Sequence, residues 1–290
     1  MSEYNDEIER AERYRRQLVD EMMARPFGDR VMSDSQEVDL QAVEHFLLTH
    51  PPMLPNGEVM GTGLLPEGDD DKVTDPFDPF GLDAAGIQVI PESQWPAYIA
   101  GQNGEQQLHV EPYVKGILNQ GSVGSCASDA LAGATMTSQV ASGLPYVELN
   151  GYFAYHTVSG GSDQGSSLSA NINFFSQYGC ASAAVWPRSQ GWRTTPSQAA
   201  KEDALQYSIL KPMRVRNWTE FGTMLLHPYA VYFGYSGHAI YGSRLIAPNR
   251  CRYANSWSPS WGDRGFGTIA SSSIMWSYGA WCLVSVSDRR

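Results

Sequence analysis

Apolar positions recur at helical spacing twice before residue 50. Ile8, Ala11, Leu18 and Met22 form a thin stripe among Glu and Arg, predicting a surface helix over residues 3–24 that Pro26 ends. Leu40, Val43, Phe46 and Leu47 share one face of a second helix over 39–50, stopped by Pro51-Pro52. Stripes this narrow need a partner surface. Periodicity is then lost through residues 51–86, where Pro, Gly and Asp dominate, including Asp69-Asp70-Asp71 and the Asp75–Gly81 run; this reads as an extended linker. A small-residue helix follows Ser125, with further helical pieces over 152–158 and 169–178 and a short helix over 199–205. From Tyr207 the pattern changes to strands: 207–215, 230–234, 238–243, 251–256, 267–271 and 281–286, with a helical turn at 221–226.

A helical half followed by an antiparallel half predicts an α+β domain with a cleft between its lobes. The expected organisation is an acidic helical leader over 1–50, a Pro/Gly/Asp-rich linker over 51–90, and a two-lobed domain over 91–290. Its helical lobe spans about 118–205 and its antiparallel, barrel-like β lobe about 206–290.

Charge sharpens this division. Residues 1–105 hold 22 Asp and Glu against 7 Lys and Arg, whereas the remainder holds 9 against 13. An acidic leader can dock on its own mildly basic domain, dock on a partner, or remain a solvated tail. No basic stripe points to nucleic acid. No run of about 18 apolar residues predicts a membrane span, and the charged N-terminus lacks a signal-peptide core. At 42% hydrophobic, 290 residues suffice for one sizeable core plus an appendage. No C-x-x-C pair or His/Cys cluster suggests a metal, and no cofactor motif is present.

The chemistry gathers at Asn119–Leu131. Gly121 and Gly124 let the backbone turn sharply and approach a ligand closely. Ser125 is a candidate helix cap. Cys126 falls in the first helical turn, where free N–H groups and the helix dipole favour a thiolate. A lone cysteine is most often a small buried hydrophobe. Two later stretches change that reading: Ser236–Gly242, with Gly237-His238-Ala239, and Tyr253–Gly267, with Asn255-Ser256-Trp257. Among the six histidines only His238 starts a predicted strand after a glycine. It is the candidate base, with Asn255 holding its second nitrogen.

The motifs Gln120–Cys126, Gly237–Ala239, Asn255–Trp257 and Trp261–Phe266, in this order, resemble those of the papain-like cysteine peptidases. Asp163–Leu168, leading to Tyr178-Gly179-Cys180 and Trp186-Pro187, looks like the glycine-rich wall and following helix of that family's disulfide-poor bacterial branch. The resemblance covers about residues 91–290. It implies a Cys126–His238–Asn255 triad, with Gln120 and the Cys126 N–H as an oxyanion hole. It also implies that Gly165, together with Gly124 and Trp257, lines a cleft for a peptide or protein substrate, with Gly160 and Gly161 as candidate extensions of that lining. Trp257 would cover the Asn–His bond. Val123 replaces a cysteine that secreted members pair in a disulfide, so a reducing, cytoplasmic compartment is expected. Cys180, Cys251 and Cys282 read as buried thiols, with a Cys251–Cys282 pair as the alternative.

Three functions fit: a cysteine endopeptidase, a papain-fold docking component of an assembly such as a bacteriophage particle, or a cell-wall amide hydrolase. The leader is correspondingly a propeptide or a docking arm. Two departures bear on specificity. Ala127 stands where the family often has a bulky residue, and the short Val231–His238 segment predicts a trimmed cleft wall.

Overall fold

The computed structural model describes residues 2–25, 32–67, 82, 86–101 and 109–286. The acidic runs Asp69–Asp71 and Asp75–Gly81 lie outside the described residues. Eight α-helices are present among those described: α1 (Ser2–Met23), α2 (Asp34–Thr49), α3 (Trp95–Gly101), α4 (Cys126–Ala141), α5 (Tyr152–Val158), α6 (Leu168–Tyr178), α7 (Gln198–Ala204) and α8 (Trp218–Leu226). Six strands follow the helical half, with α8 set among them: β1 (Ile209–Arg214), β2 (Val231–Tyr235), β3 (His238–Ala247), β4 (Arg250–Ala254), β5 (Phe266–Ala270) and β6 (Ala280–Val286). They form one antiparallel sheet in the order β1-β6-β2-β3-β4-β5, with β1 and β5 at its edges. Among the described residues no helix is long and apolar enough to cross a membrane.

Period-two alternation explains how the sheet is buried on both faces. Tyr232, Ala239, Tyr241, Trp281 and Leu283 pack against α4 and α6. The alternate residues Val231, Phe233, Ile240 and Cys282 pack against α3 and α8, through Trp95, Phe221 and Leu225. Helix α4 is buried along almost its whole length. Its small residues are what permit this: a Cβ at Gly133 would lie 2.8 Å from the Tyr241 ring, so the helix rests directly on β3.

The leader docks on its own domain. Helix α2 begins at Asp34, five residues earlier than its apolar stripe predicts, because Ser33 and Gln36 form a reciprocal capping box. Leu18, Met22 and Leu40 pack against Ile246 and Ala247. Glu44 pairs with the fully buried Arg250 and accepts from Thr268 Oγ1 at 2.5 Å, while Glu37 takes the other Arg250 nitrogen at 2.6 Å. Arg15 pairs with Glu12 and reaches Thr268 at 3.4 Å. The narrow stripes of the two helices thus find their partner at the end of β3, and their polar residues find theirs on β4 and β5.

The segment after α2 is not a free linker where it is described. Met53 pairs with Val59 across a turn containing Gly57, whose φ is +85°. Residues 59–67 then run as a strap across the face of the domain. Further on, Leu82, Ile87, Ile90, Trp95 and Ile99 enter the β-lobe core, so that stretch is part of the domain's packing.

Candidate active site

Cys126 opens α4, as the glycine-punctuated loop predicts. Ser125 does not cap the helix with its side chain. Its hydroxyl donates instead to the buried Asp129 carboxylate at 2.6 Å, which also pairs with Arg188. Arg188 stacks over Tyr152, whose hydroxyl donates to the Gln120 carbonyl at 2.8 Å. A charge pair with a buried carboxylate, together with a phenol, therefore holds the loop.

The loop's other side is paired with the Asn255 segment. Gln120 N donates to Ser256 O at 2.9 Å, and Asn119 bridges Trp257. Ser256 Oγ donates to Gln120 Oε1 at 2.6 Å, which turns the amide so that Nε2 faces the cleft. Sequence reasoning missed this role of Ser256; its place inside the Asn-Ser-Trp motif was the available signal.

His238 is delivered by a two-residue hairpin between β2 and β3. Ser236 and Gly237 both have positive φ, +45° and +78°, as a type I′ turn requires. His238 Nε2 lies 2.7 Å from Asn255 Oδ1, and that oxygen also accepts the Ser256 N–H at 2.7 Å. The second bond fixes the amide orientation, so Nε2 carries the proton. Nδ1 is left as the basic nitrogen of the neutral ring, and it has no hydrogen-bond partner among the described residues. Trp257 stacks on the imidazole at 4.4 Å between ring centres and shields the Asn–His bond.

Cys126 Sγ lies near the backbone N–H of Ala239, the residue after His238, and near that of Gly63 in the strap. Cys126 and His238 are both fully buried. Burial pushes the thiol up to about 12, even against those N–H donors. Burial also pushes His238 down to about 4, outweighing its bond to Asn255. Both groups are therefore neutral in this closed structure.

The strap fills the cleft with backbone. Gly61 O accepts from Gln120 Nε2 at 2.9 Å and from Trp257 Nε1 at 3.0 Å. Gly63 N and Leu64 N both donate to Gly237 O, and Ser166 N donates to Gly63 O at 2.8 Å. Leu64 bridges Ser166 in parallel and its side chain packs onto Gly234 and Tyr278. Gly165, at φ +91°, lies so close that a Cβ there would sit 1.9 Å from Gly63 O. Gly124 likewise abuts Gly63. Of the residues expected to meet substrate, Gly165, Gly124 and Trp257 are all in contact with the strap. Gly160 and Gly161 face open space, where an added Cβ would meet no atom within 4 Å. The four cysteines are free and buried, so Cys251 and Cys282 are not paired. Among the described residues no cluster of potential metal ligands occurs.

No family model matches the sequence, and no curated protein sequence matches it. Solved structures do resemble this one. Xylellain, a cysteine protease from Xylella fastidiosa, superimposes with a TM-score of 0.58 at 18% identity, covering 82% of this chain and 100% of that one. The fold is that of the papain-like cysteine proteases. Procathepsin B from Trypanosoma congolense shares this papain-like fold at a TM-score of 0.53 and 13% identity, covering 89% of this chain and 99% of that one. The clostridial cysteine protease Cwp84 shares it at 0.52 and 15%, covering 62% and 57%. At such identities the likeness concerns architecture: a helical lobe and an antiparallel lobe meeting at a cleft.

Proposed function

We propose that the chain is a cysteine endopeptidase whose own strap, residues 59–67, occupies the cleft. The observation that carries this reading is the convergence of three distant segments. Cys126 Sγ lies near the backbone of Ala239, the residue after His238; His238 is held by Asn255, and the Gln120 amide is turned toward the same cleft.

With the strap displaced, water returns to both groups and their ordinary proton affinities return with it. His238 Nδ1 then takes the Cys126 proton, and the thiolate attacks a peptide carbonyl. The resulting oxyanion is stabilised by Gln120 Nε2 and the Cys126 N–H. The imidazolium returns its proton to the departing amine, leaving a thioester, which water hydrolyses with His238 as base. Asn255 keeps the imidazole in the required tautomer throughout.

The test is covalent labelling with an epoxysuccinyl peptide, read by peptide mass, alongside turnover of casein. The expected result is one adduct on Cys126 and casein hydrolysis that Cys126→Ala abolishes. A strap-released variant that neither labels at Cys126 nor hydrolyses casein overturns the reading. Hydrolysis of peptidoglycan in place of casein would favour the amidase instead. Stoichiometric recovery of the unprocessed, inert chain in a particle would favour a docking component.

A further inference from the structure

An extended peptide is gripped only if the segments that flank it keep a fixed separation. Here two loops of the helical lobe flank the strap: the Gly124 loop, which leads into Cys126, and the Gly165 loop. The strap backbone passes between them without room for a Cβ on Gly63 or Gly165. No covalent tie joins these loops, since all four cysteines are free. One carboxylate oxygen and one phenol join them instead. Asp163 Oδ1 accepts the Gly124 N–H at 2.9 Å and the Tyr155 hydroxyl at 2.6 Å. The Tyr155 oxygen in turn accepts the Gly165 N–H at 3.1 Å.

We infer that Asp163 and Tyr155 are positioning residues that set the separation of the Gly124 and Gly165 loops, and through it the grip on the substrate backbone. This rests on the peptidase reading only for its kinetic consequence. The link has a direction: Gly165 N–H to phenol, phenol to carboxylate, with Gly124 N–H completing the same acceptor. Each bond strengthens the next, because the carboxylate polarises the phenol. Tyr155 is fully buried and packed at 5.2 Å from the Trp192 ring, so the phenol has a fixed origin in α5. Its pKa is raised by burial and by the Asp163 bond, so it remains a donor across the working range. Asp163 itself belongs to an exposed loop. Its substitution therefore tests the link without opening the core.

Three variants separate the contributions. Asp163→Ala removes the shared acceptor, Asp163→Asn keeps an accepting oxygen without charge, and Tyr155→Phe cuts only the branch to Gly165. Amide hydrogen exchange on the full chain reads the link independently of any catalysis. Asp163→Ala is expected to speed exchange at the Gly124 and Gly165 amides about tenfold or more, and Tyr155→Phe at Gly165 alone. Against a peptide substrate, in a strap-released background, Asp163→Ala is expected to raise KM about tenfold with kcat nearly unchanged. Asp163→Asn is expected to restore both readouts to within about threefold, since it retains the acceptor. Unchanged exchange in Asp163→Ala overturns the inference, and so does an Asn variant as impaired as the Ala variant. Were no Cys126-dependent turnover found at all, the peptidase reading would fail while the exchange measurement still decided whether the link exists.

Discussion

Gly63→Ala should open the cleft selectively. Gly63 does not adopt positive φ, so its backbone tolerates alanine; space alone forbids it. An ideal Cβ would lie 2.3 Å from Gly124 O and 2.8 Å from the Gly124 Cα. Ordinary contact begins near 3.4 Å, so strap and loop must separate by about 1 Å. Overpacking of this kind costs about 1–3 kcal/mol. Charged to the strapped state, it lowers the closed-to-open ratio about 5- to 150-fold. Iodoacetamide alkylation, followed by the mass of each cysteine peptide, reads that ratio. Cys126 is the cysteine beneath the strap, whereas Cys180, Cys251 and Cys282 are buried elsewhere in the cores. Cys126 should therefore react about 5- to 150-fold faster while the other three keep their wild-type rates. Acceleration shared by all four cysteines would mean global destabilisation, and no acceleration would mean that the strap does not guard the thiol. Either result refutes the reasoning.

Three other outcomes follow from the same geometry. Gln120→Ala removes the side-chain oxyanion donor and should lower kcat about 10²- to 10³-fold in a casein assay, with Cys126 still alkylated. Glu44→Ala leaves the buried Arg250 with only Glu37 and should cost about 3–5 kcal/mol of leader docking, visible as a lowered Tm and faster proteolysis within residues 2–67. The pH dependence of closure has a worked sign. His238 is held at about 4 when strapped, against an ordinary 6.5, so the open state binds a proton that the closed state refuses. Closure is thus undiminished above pH 6.5 and weakens by up to about 3 kcal/mol as pH falls toward 4. Cys126 is held at about 12 against an ordinary 9.0, so closure also weakens as pH rises from 9 toward 12. Hydrogen exchange at Gly63 and Leu64 should be slowest, after correction for intrinsic rate, between pH 6.5 and 9. His109, held at about 4 by burial and Arg244, adds to global acid unfolding and not to strap release.

Local pattern determined a large part of this molecule. Alternating or clustered β-branched and aromatic residues from Tyr207 onward predicted the strands, because a sheet covered on both faces buries nearly every position along β2 and β3. The small residues after Cys126 predicted a buried helix, and the glycines before it predicted a turn, since both are constraints each residue carries wherever it sits. The separate motifs around Gln120, Cys126, His238 and Asn255 were legible for the same reason, and the tertiary structure brings them to one cleft. What no local pattern held was the partner of each polar group. Ser125 was read as a cap, yet its hydroxyl goes to Asp129, four residues along, within a network completed by Arg188. The leader's narrow stripes asked for a surface without naming it; Arg250, Thr268 and Ile246 supply it from more than two hundred residues away. Residues 59–67 read as linker because Gly and Pro carry no periodicity. Only in three dimensions does Gly61-x-Gly63 become the one backbone slim enough to lie between Gly124 and Gly165. Propensity and periodicity are properties of neighbours in the chain. Charge pairing, burial and exclusion depend on distance in space, and only folding sets that distance.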